Sequence, residues 1–258
     1  MSTQEERWLL MEKYRGVRTT EFEYDKRRLV QGEPLAYVIG STPFLNLNID
    51  VSYRPHTPRV ETEFWTEKVI EIIRKDVRAH VRCLDMFAGS GCIGLSIAHS
   101  IPNAYVDLAD SDMRCINQIE KNIKLNAIEK KKAHVVHSDL FSNVPGRYDY
   151  IVANPPYIAL GNLARVEDSV LHFEPHQALF GGVDGLDVIR RFLAEAPLHL
   201  EKNAKIFMEF DYTQKESIQE LLTELHYVGI DFGRDQYGRW RFVCVCTDRA
   251  VEGAACGI

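Results

Sequence analysis

The turn Asn154-Pro155-Pro156-Tyr157 follows directly after the apolar run YDYIVA at residues 148–153. Neither proline has an N–H group to donate, so a strand must end there and the chain must leave its sheet. The turn would hold the Asn154 side-chain oxygen and the Pro155 carbonyl oxygen in fixed positions, with the Tyr157 ring beside them. Two acceptors of this kind can bind both hydrogens of one planar NH2 group.

The segment LDMFAGSGCIG at residues 84–94 places Gly89, Ser90, Gly91 and Gly94 between an apolar run and a helical pattern. Glycine permits a tight turn and the close approach of a ligand, and a helix N-terminus offers unpaired N–H groups to a carboxylate. The segment therefore predicts a ligand-binding turn. Packing of a strand against a helix requires the same glycines in many α/β proteins, so a purely structural role is the alternative.

Acidic residues follow the next two apolar runs. Asp110 lies nineteen residues after Gly91, close to the interval of ~20 residues at which an acid reaches ribose hydroxyls in dinucleotide-binding folds. Asp112 competes for this role, but its position suits a helix N-cap. After the third run, Asp139 could hydrogen-bond an adenine ring that Leu140 covers. A turn-capping role for Asp139 is the alternative.

Together these residues suit methyl transfer to a weakly nucleophilic nitrogen. The lone pair of an amide nitrogen is delocalised into its carbonyl, and the nitrogen neither gains nor loses a proton readily near neutral pH. The two acceptors at Asn154 and Pro155 would fix such a nitrogen in line with a methyl sulfonium and favour the charge that builds there. Tyr157 would stack on the flat group, and no metal is required. The alternative is a simple strand terminator, since asparagine and proline are common in turns.

The segments that must position these residues alternate in pattern. Strands are predicted at 81–87, 104–110, 133–139 and 148–154, helices at about 61–75, 93–98, 113–125 and 214–225, and a later strand at KIFMEF. Such alternation predicts parallel strands with helical crossovers on both sheet faces. The last two runs, VGIDFGRD and RWRFVCVC, must pair antiparallel, because only a turn around residues 236–238 separates them.

The predicted fold class is therefore α/β, with the outline of a class I, Rossmann-like methyltransferase: a seven-stranded, mostly parallel sheet that ends in an antiparallel hairpin. The front of the chain adds two elements to it. Helical spacing at residues 4–31 predicts one or two short helices, and the β-prone stretches YVIG and FLNLNIDV, separated by residues 41–43, predict a β-hairpin.

Composition excludes several other classes of protein. The net charge of -6 and pI of about 5.9 offer little attraction to a polyanion, so stable nucleic-acid binding is not expected. The six cysteines have no zinc-site spacing, and we expect no metal. The N-terminus lacks a targeting pattern and no apolar stretch reaches the ~20 residues of a membrane span. We expect a cytoplasmic monomer.

The sequence resembles the HemK/PrmC family of release-factor glutamine methyltransferases over residues 32–245. The segments that carry the resemblance are GEPLAYVIG at 32–40, TPRVETE at 57–63, NPPYI at 154–158, FEPHQALFGGVDGLDVIRR at 173–191 and MEFDYTQ at 208–214. NPPY is shared with adenine and guanine N-methyltransferases, whereas the GEPLAYVIG, PRVETE and GGVDGL segments are specific to this family.

The resemblance implies methylation by S-adenosyl-L-methionine of the glutamine N5 nitrogen in the Gly-Gly-Gln loop of class I release factors, which take part in translation termination. By position it implies cofactor contacts from Asp85, Phe87, Ala88, Gly89, Ser90, Gly91, Asp110, Asp139, Leu140 and Asn154, and catalysis and substrate binding by Asn154, Pro155, Pro156 and Tyr157. It also implies that Arg59 and Glu61 order the entrance, although an ion pair that only fixes the helix start is the alternative.

Three departures from the family pattern qualify this prediction. Phe87 replaces the first glycine of the turn, as in the Asp-x-Phe-x-Gly-x-Gly form of nucleic-acid methyltransferases, and Val60 replaces a proline. The helical region before Gly32 is shorter than usual. The alternative is therefore methylation of an exocyclic amine of adenine or guanine in DNA or RNA. A noncatalytic binding module would predict loss of Asn154 or Asp110, and both are present.

The expected domain organisation has four parts. Residues 1–31 would form a reduced helical docking domain, 32–56 a connecting β-hairpin, 57–250 the catalytic domain and 251–258 a C-terminal tail.

Overall fold

The structure, a computed structural model, describes residues 2–246, so the expected tail at 251–258 lies outside the described residues. The helices are α1 Thr3–Trp8, which continues as one wider turn at Leu9–Lys13, α2 Thr20–Val30, α3 Leu35–Ile39, α4 Val60–Arg74, α5 Cys92–Ser100, α6 Met113–Leu125, α7 Asp168–Phe173, α8 Asp187–Glu195 and α9 Lys215–Glu224, with short 3-10 turns at Leu160–Arg165, His176–Ala178, Ala196–His199 and Tyr212–Gln214. The strands are β1 Ser41–Phe44, β2 Leu47–Asp50, β3 Val81–Met86, β4 Ala104–Asp110, β5 Ala133–His137, β6 Tyr148–Ala153, β7 Leu200–Glu209, β8 Val228–Arg234 and β9 Trp240–Cys246.

Strands β3 to β9 form one seven-stranded sheet in the order β5-β4-β3-β6-β7-β9-β8. The first five strands in this order pair in parallel, and β9 pairs antiparallel with both β7 and β8. The predicted mostly parallel sheet with an antiparallel C-terminal hairpin is confirmed. The chain runs outward from β3 to β5 and then returns to the other side of β3 as β6. Open α/β sheets bind ligands at the carboxyl edge where the strand order reverses in this way.

Burial on both faces explains the nearly continuous apolar runs of the central strands. Strand β6 is buried at every residue. Cys83 and Leu84 are successive residues of β3 and point to opposite faces. Cys83 packs in a cluster with Trp65 of α4, and Leu84 packs in a second cluster with Phe192 of α8. Within residues 2–246 no helix has the length and apolar character that a membrane span requires.

The front of the chain corrects one prediction. The YVIG stretch, expected as a strand, lies in α3, and residues 41–43, expected as a separator, lie in β1. Tertiary contacts override the β propensity here. Val38 packs into the N-terminal helices, the Tyr37 hydroxyl donates to the Pro55 carbonyl at 2.6 Å, and Gly40 ends the helix with φ of 98°. The hairpin itself is confirmed as β1 paired with β2.

Amide side chains of α6 fix the segment from β2 onward to the catalytic core. The Asp50 N–H donates to Asn122 Oδ1 at 2.8 Å, and the Tyr53 N–H donates to Gln118 Oε1 at 2.9 Å. Asn122 is fully buried, and its Nδ2 also donates to the Ser90 carbonyl at 2.9 Å. One carboxamide therefore holds both the hairpin and the glycine turn after β3.

Candidate functional site

Strands β5, β4, β3 and β6 end around a cavity of about 250 Å³. The predicted site residues that line it are Arg59, Phe87, Ala88, Gly89, Ser90, Asp110, Asp139, Leu140, Asn154, Pro155, Pro156 and Tyr157. The predicted residues Glu61, Asp85 and Gly91 lie outside this lining. The structure thus brings the residues predicted for the cofactor and those predicted for the amide together where the strand order reverses.

The turn after β3 adopts left-handed backbone at Phe87, Gly89 and Gly91, with φ of 61°, 56° and 81°. This region suits glycine and strains a residue with a side chain, so Phe87 occupies a position where the family's glycine would be relaxed. Gly91 is the N-cap of α5, and an added Cβ there would lie 3.1 Å from Leu95 and 3.3 Å from Ile119. Gly91 therefore shapes the turn from behind.

Asp85 lies beneath the turn and is fully buried. Its Oδ2 accepts the Gly94 N–H at 2.8 Å, and its Oδ1 has no hydrogen-bond partner among the described residues. Burial raises the pKa of Asp85 to about 7; the Gly94 hydrogen bond opposes this change, and the charge of Asp110 adds to it. Asp85 therefore supports the turn from below without reaching the cavity.

This buried acid gives stability a defined pH dependence. Because the pKa of Asp85 rises from 3.8 to about 7 on folding, the native state binds the proton more tightly. This contribution to stability is fully present below the unfolded pKa and is lost as pH rises from there through the folded pKa. Asp85→Asn has no such dependence. The free energy of unfolding of the wild type minus that of the variant should therefore fall by on the order of 2 kcal/mol between pH 5 and pH 8.

Urea unfolding of the wild type and Asp85→Asn at both pH values measures this difference. Glu120→Gln, a change at an exposed residue of α6, serves as the matched control. A difference between wild type and Asp85→Asn that stays constant from pH 5 to pH 8 would contradict the prediction.

Asp110 ends β4 at the cavity. Its Oδ2 accepts the Gly89 N–H at 2.8 Å and its Oδ1 accepts the Asp112 N–H at 2.9 Å. Burial raises the pKa of Asp110, and these N–H bonds oppose that change. Each carboxylate oxygen has a second acceptor position, so Asp110 can accept both hydroxyl groups of a ribose. Asp112 instead caps α6 by accepting the Arg114 N–H.

The turn after β5 places Leu140 in the cavity wall and leaves Asp139 exposed beside Arg191, 3.3 Å away. The alternative of a turn-capping aspartate is wrong, because a serine has that role. The Ser138 hydroxyl donates to the Leu140 carbonyl at 2.7 Å and accepts the Asn143 N–H at 2.9 Å. Asp139 thus keeps its carboxylate at the rim of the cavity.

The turn after β6 presents two acceptors to the cavity. No hydrogen bond within residues 2–246 engages the Asn154 side chain or the Pro155 carbonyl. Pro155 and Pro156 are buried, while Asn154 and Tyr157 are partly exposed. The oxygens of Asn154 and Pro155 are therefore available to a ligand without breaking an existing bond.

The GGVDGL segment supports this turn from behind. The Ile158 N–H donates to the Leu179 carbonyl at 2.9 Å, and the Gly181 N–H donates to the Ile158 carbonyl at 3.0 Å. A Cβ at Gly181 would lie 2.5 Å from the Pro156 carbonyl oxygen. A Cβ at Gly185 would collide with the Tyr157 carbonyl oxygen. These glycines are required because the two backbones touch.

Tyr157 ends in a buried polar cluster. Its hydroxyl donates to Glu209 Oε1 at 3.1 Å, and Glu209 Oε2 accepts from Thr62 at 2.7 Å and Trp65 at 2.6 Å. Burial raises the pKa of Tyr157 well above its usual value, and the charge of Glu209 adds to this effect. The phenol therefore stays protonated and acts as a donor.

Arg59 forms its ion pair with Glu174, at 2.6 Å, and not with Glu61. Glu174 is buried, and its Oε1 also accepts a hydrogen bond from the Thr57 hydroxyl at 2.8 Å. Its Oε2 lies 2.5 Å from His56 Nδ1. Burial raises the pKa of Glu174, but His56, Arg59 and Thr57 together lower it to about 2. This charged cluster joins the segment before α4 to the segment after α7.

A second cavity of about 610 Å³ adjoins the first. The residues that line both are His56, Arg59, Tyr157, Ile158 and Leu179. Tyr157 and the Glu174 cluster thus separate a smaller cavity beside Asp110 from a larger one that extends toward Gln214 and Arg239.

Motif analysis missed Glu174, Glu209 and Ser138 as site residues. Glu174 and Glu209 lie in segments that resemble the family, FEPHQAL and MEFDYTQ, but no role was assigned to them. For Glu209 the available signal was an acidic residue inside the apolar run IFMEF at 206–210, since a buried carboxylate must be hydrogen-bonded or paired.

Known proteins share this sequence and fold. The chain matches the family described as Methyltransferase small domain over residues 64–172. It is 33% identical over 220 residues to the release factor glutamine methyltransferase of Streptococcus pneumoniae (strain ATCC BAA-255 / R6). The aligned region covers 85% of this chain and 77% of that protein. The protein of the same name from Coxiella burnetii (strain RSA 493 / Nine Mile phase I) is 34% identical over 221 residues, with 85% and 77% covered.

Solved structures agree on the fold. The N-terminal domain of human METTL16 in complex with SAH is 15% identical, with a TM-score of 0.56 over 88% of this chain and 84% of that one. The ribosomal protein L11 methylase of Lactobacillus delbrueckii subsp. bulgaricus is 20% identical, with a TM-score of 0.56 over 77% and 83%. The sheet order, the cavity at its reversal and the sequence identity to the bacterial relatives agree, and this chain belongs to the family of release factor glutamine methyltransferases.

Proposed function

We propose that this protein methylates the side-chain N5 nitrogen of the glutamine in the Gly-Gly-Gln motif of class I peptide chain release factors, with S-adenosyl-L-methionine as the methyl donor. The name that its bacterial relatives share supports this substrate. The observation that carries the proposal is the pair of unengaged acceptors, Asn154 and the Pro155 carbonyl, in the cavity that Asp110 also lines.

The residues around the cavity fit the cofactor. Asp110 has two acceptor positions left for ribose hydroxyls, Gly89 and Ser90 bring backbone to the cavity surface, and Leu140 offers an apolar wall for an adenine ring. Asp139 lies at the rim, where its carboxylate could accept the adenine amine. When bound, S-adenosylmethionine supplies an electrophilic methyl group.

The chain's own contribution to the chemistry is orientation and charge. The Asn154 oxygen and the Pro155 oxygen would each accept one hydrogen of the glutamine NH2 group, which fixes the nitrogen and its plane. As the nitrogen gains positive charge, both N–H bonds become stronger donors, so these two contacts strengthen in the transition state. Tyr157 would cover the flat face of the amide and exclude water.

The second cavity supplies room for the polypeptide on either side of the target glutamine. In this proposal Arg59, held by Glu174, orders the entrance between the two cavities. Residues 2–31, whose Leu9, Phe22 and Leu29 form a small core with Val38, would form the docking piece that contacts the body of the release factor.

A paired methylation assay tests the proposal. The purified protein is incubated with S-adenosylmethionine labelled in its methyl group and with a class I release factor, a variant of that factor in which the motif glutamine is alanine, or DNA and RNA oligonucleotides. We expect label only in the unaltered release factor, on the motif glutamine by mass spectrometry of the peptide. Label in an oligonucleotide and none in the release factor would overturn the proposal.

A further inference from the structure

Glu209, at the end of β7, is a carboxylate with 1% of its surface exposed. Oε2 accepts two hydrogen bonds, from the Thr62 hydroxyl and the Trp65 indole N–H, and Oε1 accepts one, from the Tyr157 hydroxyl. Within the part of the chain that the structure describes, no basic side chain forms an ion pair with it. A buried carboxylate costs several kcal/mol unless its hydrogen bonds are satisfied. Glu209 meets this condition with three donors, and one of them is the hydroxyl of Tyr157, a residue of the turn after β6.

Hydrogen bonds engage the Tyr157 residue at both its backbone and its hydroxyl. The backbone of Tyr157 is held separately, by Gln214 Nε2 at 3.0 Å from its carbonyl and by the close approach of Gly185. The hydroxyl is the other fixed point of the residue, and its partner is Glu209. Between these two ends the ring forms part of the wall of both cavities.

We propose that Glu209 is a positioning residue for methyl transfer: its buried carboxylate holds the Tyr157 hydroxyl and thereby keeps the Tyr157 ring against the reacting NH2 group. This inference rests on the function proposed for the Asn154–Tyr157 turn. A charged acceptor also binds a phenol more strongly than a neutral one. It increases the electron density of the ring, whose face then stabilises the positive charge that builds on the nitrogen.

An amide could not replace the carboxylate at this position. Trp65 can only donate a hydrogen bond, so the oxygen of a glutamine side chain would face Thr62 and Trp65. Its NH2 group would then face Tyr157, whose hydroxyl would have to accept a hydrogen bond instead of donating one. Glu209→Gln therefore keeps the volume and the bonds to α4 and reverses the one bond that reaches the site.

The test compares Glu209→Gln, Tyr157→Phe and the double variant, with Glu201→Gln, at an exposed residue of the same strand, as the control. Methylation of a release factor gives kcat and KM, calorimetry gives cofactor affinity, and thermal unfolding reports stability. We expect each single variant to lower kcat by about 100-fold, with less than about threefold change in KM and in cofactor affinity. The double variant should be no slower than the slower single variant, because both changes eliminate the bond that the Tyr157 hydroxyl donates to the carboxylate. Glu201→Gln should match the wild type.

A kcat for Glu209→Gln within about threefold of the wild type, or a double variant whose loss is the product of the two single losses, would overturn the inference. If Glu209→Gln unfolds, Tyr157→Phe decides, since it keeps the carboxylate and its bonds to α4: an unchanged kcat then overturns the inference. If the wild-type protein fails to methylate any release factor, the proposed function is overturned. If the wild type and the variants methylate the release factor equally well, the proposed function stands and only the role of Glu209 is overturned.

Discussion

Replacing Asn154 with alanine is expected to lower the rate of methyl transfer to a release factor by about 1,000-fold while the affinity for S-adenosylmethionine changes by less than about threefold. Asn154 supplies one of the two acceptors in the cavity, and no hydrogen bond within residues 2–246 depends on its side chain. Its loss should therefore leave the fold and the cofactor contacts proposed for Asp110 in place. Single-turnover kinetics with excess enzyme measures the rate, and calorimetry measures the affinity.

The control for this prediction is Asn117→Ala, which removes a carboxamide from an exposed position of α6. It should match the wild type in both measurements. A loss of cofactor affinity as large as the loss of rate in Asn154→Ala would show that Asn154 holds the cofactor and does not act on the amide. A rate within about tenfold of the wild type would remove Asn154 from the catalytic machinery.

Gly185→Ala is expected to lower the methylation rate by about 100-fold and the free energy of unfolding by about 2 kcal/mol or more. Gly185 has φ of 79°, and a Cβ there would collide with the Tyr157 carbonyl and lie 2.6 Å from Gln214 Nε2. The turn that carries Asn154 and Tyr157 must then move. Because methyl transfer needs an aligned nitrogen, a shift of about 1 Å would be enough for this loss.

Gly161→Ala is the matched control, because an added Cβ at Gly161 meets no atom within 4 Å and its φ is not positive. Methylation kinetics and urea unfolding of both variants measure the two effects. If Gly185→Ala has the same methylation rate and free energy of unfolding as Gly161→Ala, the contact between the GGVDGL segment and the turn is not needed for activity.

The sheet and the four strand ends could be predicted because their signals are local. Apolar runs alternate with helical patterns, a pair of prolines ends β6, and Asp110 follows the glycine turn at a characteristic interval. Each of these features is set by the backbone requirements of a few neighbouring residues. The same logic correctly assigned Asp112 to the cap of α6.

The errors have a different origin. YVIG has high β propensity but forms α3, because Val38 fills a small core built by α1 and α2. The partner of Arg59 is Glu174, far away in the sequence. The glycines at 181 and 185 touch the backbone of residues 156 and 157. Contacts between distant loops have no periodicity, so neither composition nor spacing could reveal them.

Asn122 couples the hairpin to the glycine turn after β3, since its buried carboxamide bonds to Asp50 and to the Ser90 carbonyl. A hinge motion between the hairpin and the glycine turn would break these buried hydrogen bonds, and each polar group left unsatisfied would cost free energy. We therefore expect the hairpin and the glycine turn to behave as one rigid unit. A release factor that meets this surface would find the catalytic geometry already assembled, without an entropic penalty for ordering it.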